Sequence, residues 1–369
     1  MVLGPPRRLC VNPARASDNQ AMSLGEFELI ERYFWRTPPQ GPRRAVVGNG
    51  DDCAVVAPGP GMHLALSTDT LVEGRHFLST VDPALLGHKA LAVNLSDLAA
   101  CGARPLGFTL ALTLPRVDPA WLGAFSQGLL ALADAHDCEL LGGDTTAGPL
   151  SIGITALGEV PAGGALLRSG ARVGDDLWVS GWPGLARLAL DHFRRPLVPE
   201  LAAADWALAR QAMECPQPRI ALGLALRGLA SAVLDISDGL LGDLRHLLRR
   251  SGVGATVVLD ALPRHPVLAG RPPEQQLDCL LAGGDDYELL FTAAPHARAA
   301  LGALSAELDL PLTRIGRIQA AGGGAGSGLG SGSDDPLVLQ ASGLDRLTPG
   351  GDLSPPVPNR WSSFDHFKA

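Results

Sequence analysis

AVVGNGDDCAVV, residues 45–56, sets two neighbouring aspartates between two runs of Ala and Val. Apolar, β-branched runs of this kind read as buried strands, and the Gly-Asn-Gly between them reads as a tight turn. Asp51 and Asp52 then stand at the mouth of a strand pair. A solvent-facing turn explains any one such placement, because Gly and Asp are ordinary turn formers. The arrangement returns five more times along the chain. Short apolar strands alternating with helical stretches give mixed α/β architecture.

A chain of 369 residues suits two domains with a core each. Hydrophobic residues make up 46% and charged ones 18%, a globular balance. The net charge of −8 argues against a nucleic-acid binder, since no basic patch could dominate it. Only two lysines occur, Lys89 and Lys368. The six cysteines are scattered singly with no CxxC pair, so neither a zinc site nor a disulfide framework is indicated. No apolar run reaches the roughly 18 residues that span a membrane. The first 21 residues lack the apolar centre of a signal peptide. A cytoplasmic enzyme or binding protein is expected, with residues 1–22 a disordered leader and Met22 the better beginning.

From SLGEFELIERYF the spacing predicts a helix capped by Ser23 with Glu26 three residues on. Strands are expected at 45–48, 53–57 and 63–67, a helix from Pro83 to Cys101, a strand at 106–114, a helix at 119–136 and strands at 138–141 and 151–159. VPAGGA, 160–165, is the best boundary, dividing an N-terminal domain (23–160) from a C-terminal one (161–369). Beyond it, strands at 176–180, 232–236, 255–259, 287–293 and 313–318 alternate with helices, including 239–250, 274–282 and 295–308. Residues 320–335, AAGGGAGSGLGSGSDD, read as a flexible insertion, and the aromatics of WSSFDHF as a tail docking onto the body.

The acids that follow apolar runs are Asp51 and Asp52, Asp69, Asp97, Asp144, Asp235 and Asp238, and Asp285 and Asp286. Strand ends of one sheet lie close together, so acids placed there repeatedly could converge on one cleft. Converging carboxylates need cations, and oxygen donors without a His/Cys cluster favour Mg²⁺, with Ca²⁺ or Mn²⁺ as alternatives. Gly142 and Gly143 would let main-chain N–H groups approach an anion, and Ser237 and Asp238 stand where a helix begins, a place that favours a Mg²⁺-bound phosphate. Asp97 falls inside a helix, sharing a face with Asn94 and Cys101. GxxxxGK[ST] is absent, DISDG lacks the further acids of a calcium loop, and Gly-x-Ser-x-Gly is absent, so a P-loop, an EF-hand and that hydrolase elbow find no support.

GEFELIERYF, GDDCAVV, STDTLVEGRHF, KALAVNLSDLAACGA, LLGGDTT, LRSGA, LDISDGL and GGDDYEL stand in the order typical of bacterial thiamine-monophosphate kinases, which the chain resembles from Ser23 to Ile318 and again at FDHF. The resemblance implies a two-domain aminoimidazole ribonucleotide synthetase-like architecture, with an N-terminal ATP- and Mg²⁺-binding domain that pairs across a homodimer. It implies in-line transfer from ATP to thiamine monophosphate without a phosphoenzyme, giving thiamine diphosphate. It assigns Mg²⁺ to Asp52, Thr68, Asp69, Asp97, Asp144, Asp235 and Asp238. It assigns the nucleotide to Gly143, Asp144, Arg168 and Ser237, and the acceptor to His76, Asp285 and Phe364. The family usually has Glu where Asp285 stands, some relatives have Tyr for Phe364, and the Gly/Ser insertion is unusual. The competing readings are a sister synthetase with another acceptor, a phosphatase with an aspartate nucleophile, and a non-catalytic divalent-metal binder. The phosphatase wants a supporting lysine, for which Lys89 and Lys368 are poor candidates. Selenophosphate synthesis would need a reactive Cys with a partner Lys in a Gly-rich N-terminal loop, and no such pair is present.

Overall fold

The computed structural model describes residues 25–35, 45–48, 52–195, 197–321 and 337–340. The expected leader, the Ser23 cap, Asp51, most of the Gly/Ser insertion and the tail with Phe364 lie outside the described residues. The first part of the chain runs α1 (Glu26–Tyr33), β1 (Ala45–Val47), β2 (Val55–Val56), β3 (Met62–Val72), α2 (Pro83–Ala100), β4 (Arg104–Leu114), α3 (Pro119–Ala135), β5 (Glu139–Ala147) and β6 (Ser151–Pro161). The second part runs β7 (Asp176–Ser180), α4 (Leu185–Arg194), α5 (Ala203–Glu214), α6 (Ile220–Ala225), β8 (Ala230–Asp235), α7 (Leu240–Ser251) and β9 (Val253–Val258). It continues with α8 (Pro266–Ala269), α9 (Pro273–Ala282), β10 (Leu289–Ala293), α10 (Arg298–Glu307), β11 (Leu312–Ala320) and β12 (Leu337–Gln340).

β1 and β2 form a ribbon, β3-β6-β4-β5 a four-stranded sheet, and β12-β9-β11-β7-β10-β8 a six-stranded one. The larger sheet is covered on both faces, and its side chains sort with period two. Trp178, Val233, Leu289 and Phe291 join the core of the first part. Their neighbours Leu177, Val179, Leu234 and Leu290 join a separate core with α4, α7 and α9.

Between the sheets lies α2. Asp82 caps it, accepting from the Ala84 and Leu85 N–H groups at 2.8 and 3.4 Å, and Pro83 occupies the first turn. A helix that is buried over most of its surface belongs inside a protein, and α2 packs on α3 and the small sheet and on α5, α6 and β8. The crossing with α6 is close: a Cβ on Gly223 would stand 2.1 Å from the Ala99 carbonyl oxygen.

Three expectations need correction. Helix α1 begins at Glu26 with Gly25 at its cap, and Glu28 reaches back to the Gly25 N–H at 3.0 Å. The strand expected at 53–57 shortens to Val55–Val56. β3 and β5 run past their expected ends, so Asp69 and Asp144 lie within strands rather than at strand ends. Unbroken pairing of β3 with β6, and pairing of β5 with β4 that resumes at Gly142 after a bulge, carry the backbone through the polar residues.

Candidate active site between the two sheets

The site is built on the polar positions of α2. On β3, Ser67, Asp69 and Leu71 alternate with the exposed Leu66, Thr68 and Thr70. The Ser67 hydroxyl donates to Asp97 Oδ2 in a short contact. The Asp69 N–H donates to Asn94 Oδ1 at 3.2 Å, and Asn94 Nδ2 is held by the Ala90 carbonyl at 3.1 Å. Toward the other sheet, the Ser96 hydroxyl donates to Asp235 Oδ2 at 2.7 Å. One helix thus anchors an aspartate of each sheet beside its own, Asp69 by its main-chain N–H and Asp235 by its carboxylate.

Past β8 the chain turns through Ser237 and Asp238. Asp243, from the first turns of α7, accepts both of their N–H groups on Oδ2 at 3.1 Å. These amides were expected to receive an anionic ligand; a side-chain carboxylate already occupies them. Asp285 is anchored nearby, donating its N–H to the Ser237 carbonyl at 2.8 Å. Its carboxylate meets Lys89 and the buried Tyr287 hydroxyl.

Electrostatics bind these residues into one group. Burial, then Asp97 and Asp238, push Asp69 up to about 6. Burial raises Asp97 against the opposing effects of Ser67 and Arg168. Asp235 is raised to about 7, first by burial and then by Asp97 and Asp243. Asp243 is also raised to about 7, by burial first, with Asp238 adding to it. Arg168 is the cation acting on Asp97, Asp235 and Asp243. A cleft of about 570 Å³ opens here, with Asp97, Asp235, Arg168 and Arg250 on its walls beside apolar Leu166, Leu167 and Val233.

Asp69, Asp97, Asp235, Asp238, Arg168, Ser237 and Asp285 are therefore brought into one region. Five other expected residues stand apart. Asp144 is exposed on β5, while Asp69 is on β3, the opposite edge of the sheet. Three strand spacings of about 4.8 Å separate the edges, about 14 Å along the sheet. Asp52 is exposed on the loop between β1 and β2, a ribbon moored to β5 by the Ala45 N–H and Glu139 Oε2 at 3.2 Å. Thr68 points away from Asp69, its hydroxyl 2.9 Å from that of Thr155. Gly143 owes its missing side chain to β4, since a Cβ there would lie 1.9 Å from the Leu110 carbonyl oxygen. His76 stands on the turn after β3, with Nδ1 accepting from the Val72 N–H at 3.0 Å. Phe364 lies outside the described residues.

The sequence pattern missed Ser67, Ser96, Asp243, Arg250 and Lys89. The serines sit beside predicted acids in STD and NLSD, and Asp243 closes LDISDGLLGD, where an acid early in a helix is a recognisable capping signal. Arg250 and Lys89 had no local signal. Among the described residues no three His, Cys, Asp or Glu side chains already converge on a single metal position.

The AIR synthase related protein N-terminal domain matches residues 50–160, and the corresponding C-terminal domain matches residues 198–327. The chain is 45% identical over 349 residues to the thiamine-monophosphate kinase of Salmonella typhimurium, covering 94% of this chain and 99% of the relative. A crystal structure of thiamine-monophosphate kinase from Stenotrophomonas maltophilia superposes with a TM-score of 0.72 at 45% identity, over 81% of this chain and 92% of that one. AaThiL, solved in complex with AMPPCP and TMP, gives a TM-score of 0.64 at 29% identity, over 78% and 87% of the two chains.

Proposed function

The chain belongs to the thiamine-monophosphate kinases of the AIR synthase related family, and from that premise we propose that the acidic cleft between its two sheets is where ATP phosphorylates thiamine monophosphate. A phosphate oxygen of the acceptor bonds to the γ-phosphorus of ATP, the bond to the β–γ bridging oxygen breaks, and thiamine diphosphate and ADP leave. The attacking oxygen is already anionic near neutral pH, so the task is to bring anions together in line rather than to remove a proton. No covalent intermediate on the protein is required.

The carrying observation is that Asp97, Asp235 and Arg168 share the walls of one cleft. Arg168 offers a planar fork of donors suited to a phosphate, and the apolar wall of Leu166, Leu167 and Val233 suits the face of a base. Mg²⁺ fits the donor set, which is made of oxygen ligands, crowded and partly protonated by burial beside one arginine. Asp69, Asp97, Asp235 and Asp238 would hold it. Bound there, it would neutralise phosphate charge. With no three carboxylates already on one point, water and phosphate oxygens would supply the remaining ligands, as Mg²⁺ tolerates. His76 and Asp285 are assigned to the acceptor, and Ser237 to the nucleotide.

Asp52, Thr68, Gly143 and Asp144 join this assignment through a homodimer. The outer face of β3 exposes Leu64 at 41% and Leu66 at 64%, apolar area that a second copy would cover. An edge of β5 from that copy beside β3 would bring its Asp52 and Asp144 toward Asp69. The domains we assign are 23–160 and 161–369, a reading supported by the two separate sheets. No helix among the described residues is long and apolar enough to cross a membrane, and use of ATP suits a cytoplasmic setting.

³¹P NMR of the protein with Mg²⁺, ATP and thiamine monophosphate tests the reading. Thiamine diphosphate should grow in step with ADP, and stop with EDTA or with Asp97→Asn. ADP and free phosphate without the diphosphate product would point to another acceptor, and an unchanging spectrum from folded protein would defeat the assignment.

A further inference from the structure

Lys89 is 2% exposed in the middle of α2, among apolar neighbours. Its ammonium leaves the first part of the chain and bonds to two groups of the second. It donates to the Met213 carbonyl on α5 at 2.9 Å, and it forms an ion pair with Asp285 Oδ2. A buried ammonium is costly to remove from water, and an apolar side chain of like volume is often the more stable choice. An interior lysine in a chain that has only one other lysine therefore points to a role beyond packing.

The partner shows what that role is. Asp285 keeps 32% of its side chain exposed, so it faces both the buried ammonium and the solvent beside the turn that carries Ser237 and Asp238. Its backbone lies at φ +68, a left-handed conformation that Asp tolerates better than most residues. Its N–H is fixed to the turn that carries Ser237 and Asp238, and the Tyr287 hydroxyl bonds to its carboxylate. Backbone and side chain are both held, and Lys89 is the contact that ties the carboxylate to α2, the helix that also carries Asp97.

We propose that Lys89 is a positioning residue for acceptor recognition: it holds the half-exposed Asp285 carboxylate beside the Ser237–Asp238 turn, where a cationic or amino-bearing ring would meet it. This rests on the kinase reading above, in which the acceptor carries a thiazolium cation and an aminopyrimidine.

Steady-state kinetics of full-length wild type, Lys89→Met, Asp285→Asn and the double variant test this, with each substrate varied while the other saturates. Lys89→Met should raise KM for thiamine monophosphate about tenfold or more while KM for ATP stays within about twofold. The double variant should be no worse than Asp285→Asn alone, since the two residues act as one unit. Equal rises in both KM values, additive losses, or an unchanged acceptor KM would overturn the inference. Lys89→Gln, whose amide can still donate to the Met213 carbonyl, replaces the methionine variant if that one does not fold. If neither folds, Lys89 is structural and the inference fails. A wild type that forms no thiamine diphosphate defeats the kinase reading itself, whereas an active wild type with an unmoved acceptor KM in the variants defeats only this inference.

Discussion

Around α2, Asp69, Asp97, Asp235 and Asp243 are packed between two sheets and held by Ser67, Ser96 and main-chain amides. At the far edge of the small sheet, Asp144 is exposed on β5 and Asp52 is exposed on the ribbon beside it. Asp69, Asp97 and Asp235 follow apolar runs, as Asp52 and Asp144 do. The buried group carries electrostatic stress: burial and mutual repulsion raise its pKa values, with Arg168 as the cation acting against them. Water relaxes the exposed group, which leaves it ready to meet something from outside the chain. The difference teaches that an acid's neighbours, not its place in a motif, decide whether it stores a demand for a cation.

The largest effect expected from this contrast is catalytic. Asp97→Asn should lower kcat/KM by about 10³-fold, in the range seen when one charge-stabilising group is lost. The metal-free protein should melt no lower, and preferably higher, because one of the crowded charges is gone. A large drop in Tm together with full activity would reverse the assignment of the buried group.

Mixing variants joins the two regions directly. If Asp144 completes a site on a second copy, Asp97→Asn and Asp144→Asn are each inactive. Unfolded and refolded together, they should recover about a quarter of wild-type activity, since half of the dimers are mixed and each mixed dimer holds one intact site. No recovery in mixed dimers, from variants each shown to fold, would leave the two acid groups functionally separate.

A smaller effect probes the seat of the buried group. Gly223→Val places a side chain against the Ala99 carbonyl, at the end of the helix that carries Asp97. It should cost about 2–3 kcal/mol in urea unfolding, with a matched loss of activity. Full stability would mean that the α2–α6 crossing has slack.

The smallest effect is on pH dependence. In the folded chain Asp69 titrates at about 6 and Asp235 and Asp243 at about 7, all above the ordinary 3.8. The folded state therefore binds more protons than the unfolded chain between those values. Their contribution is favourable below about pH 4 and is lost as pH rises through 6 to 7. Without Mg²⁺, Tm should fall by several degrees between pH 5 and pH 8. Mg²⁺ should restore more of it at pH 8 than at pH 6, where protons compete for the same oxygens. Asp235→Asn should flatten the slope, and a Tm that rises with pH in EDTA would contradict the crowding described here.

By itself the sequence determined the mixed α/β architecture and singled out Asp69, Asp97 and Asp235, which the fold gathers about α2, because strand and helix periods, turn residues and motif wording are local. It placed Asp97 on a helix and Asp235 at a strand end, and both stand there. Local signals could not show that β3 and β5 run through their aspartates, since sheet pairing is set by the neighbouring strand. They could not tell the buried acids from the exposed ones, because that depends on α2 lying between two sheets whose residues are far apart in the chain. Nor could they connect Lys89 with Asp285 across 196 positions. Tertiary structure decided those matters, because burial and the pairing of charges depend on distance in space, and only the packing of the two sheets about α2 fixes that distance.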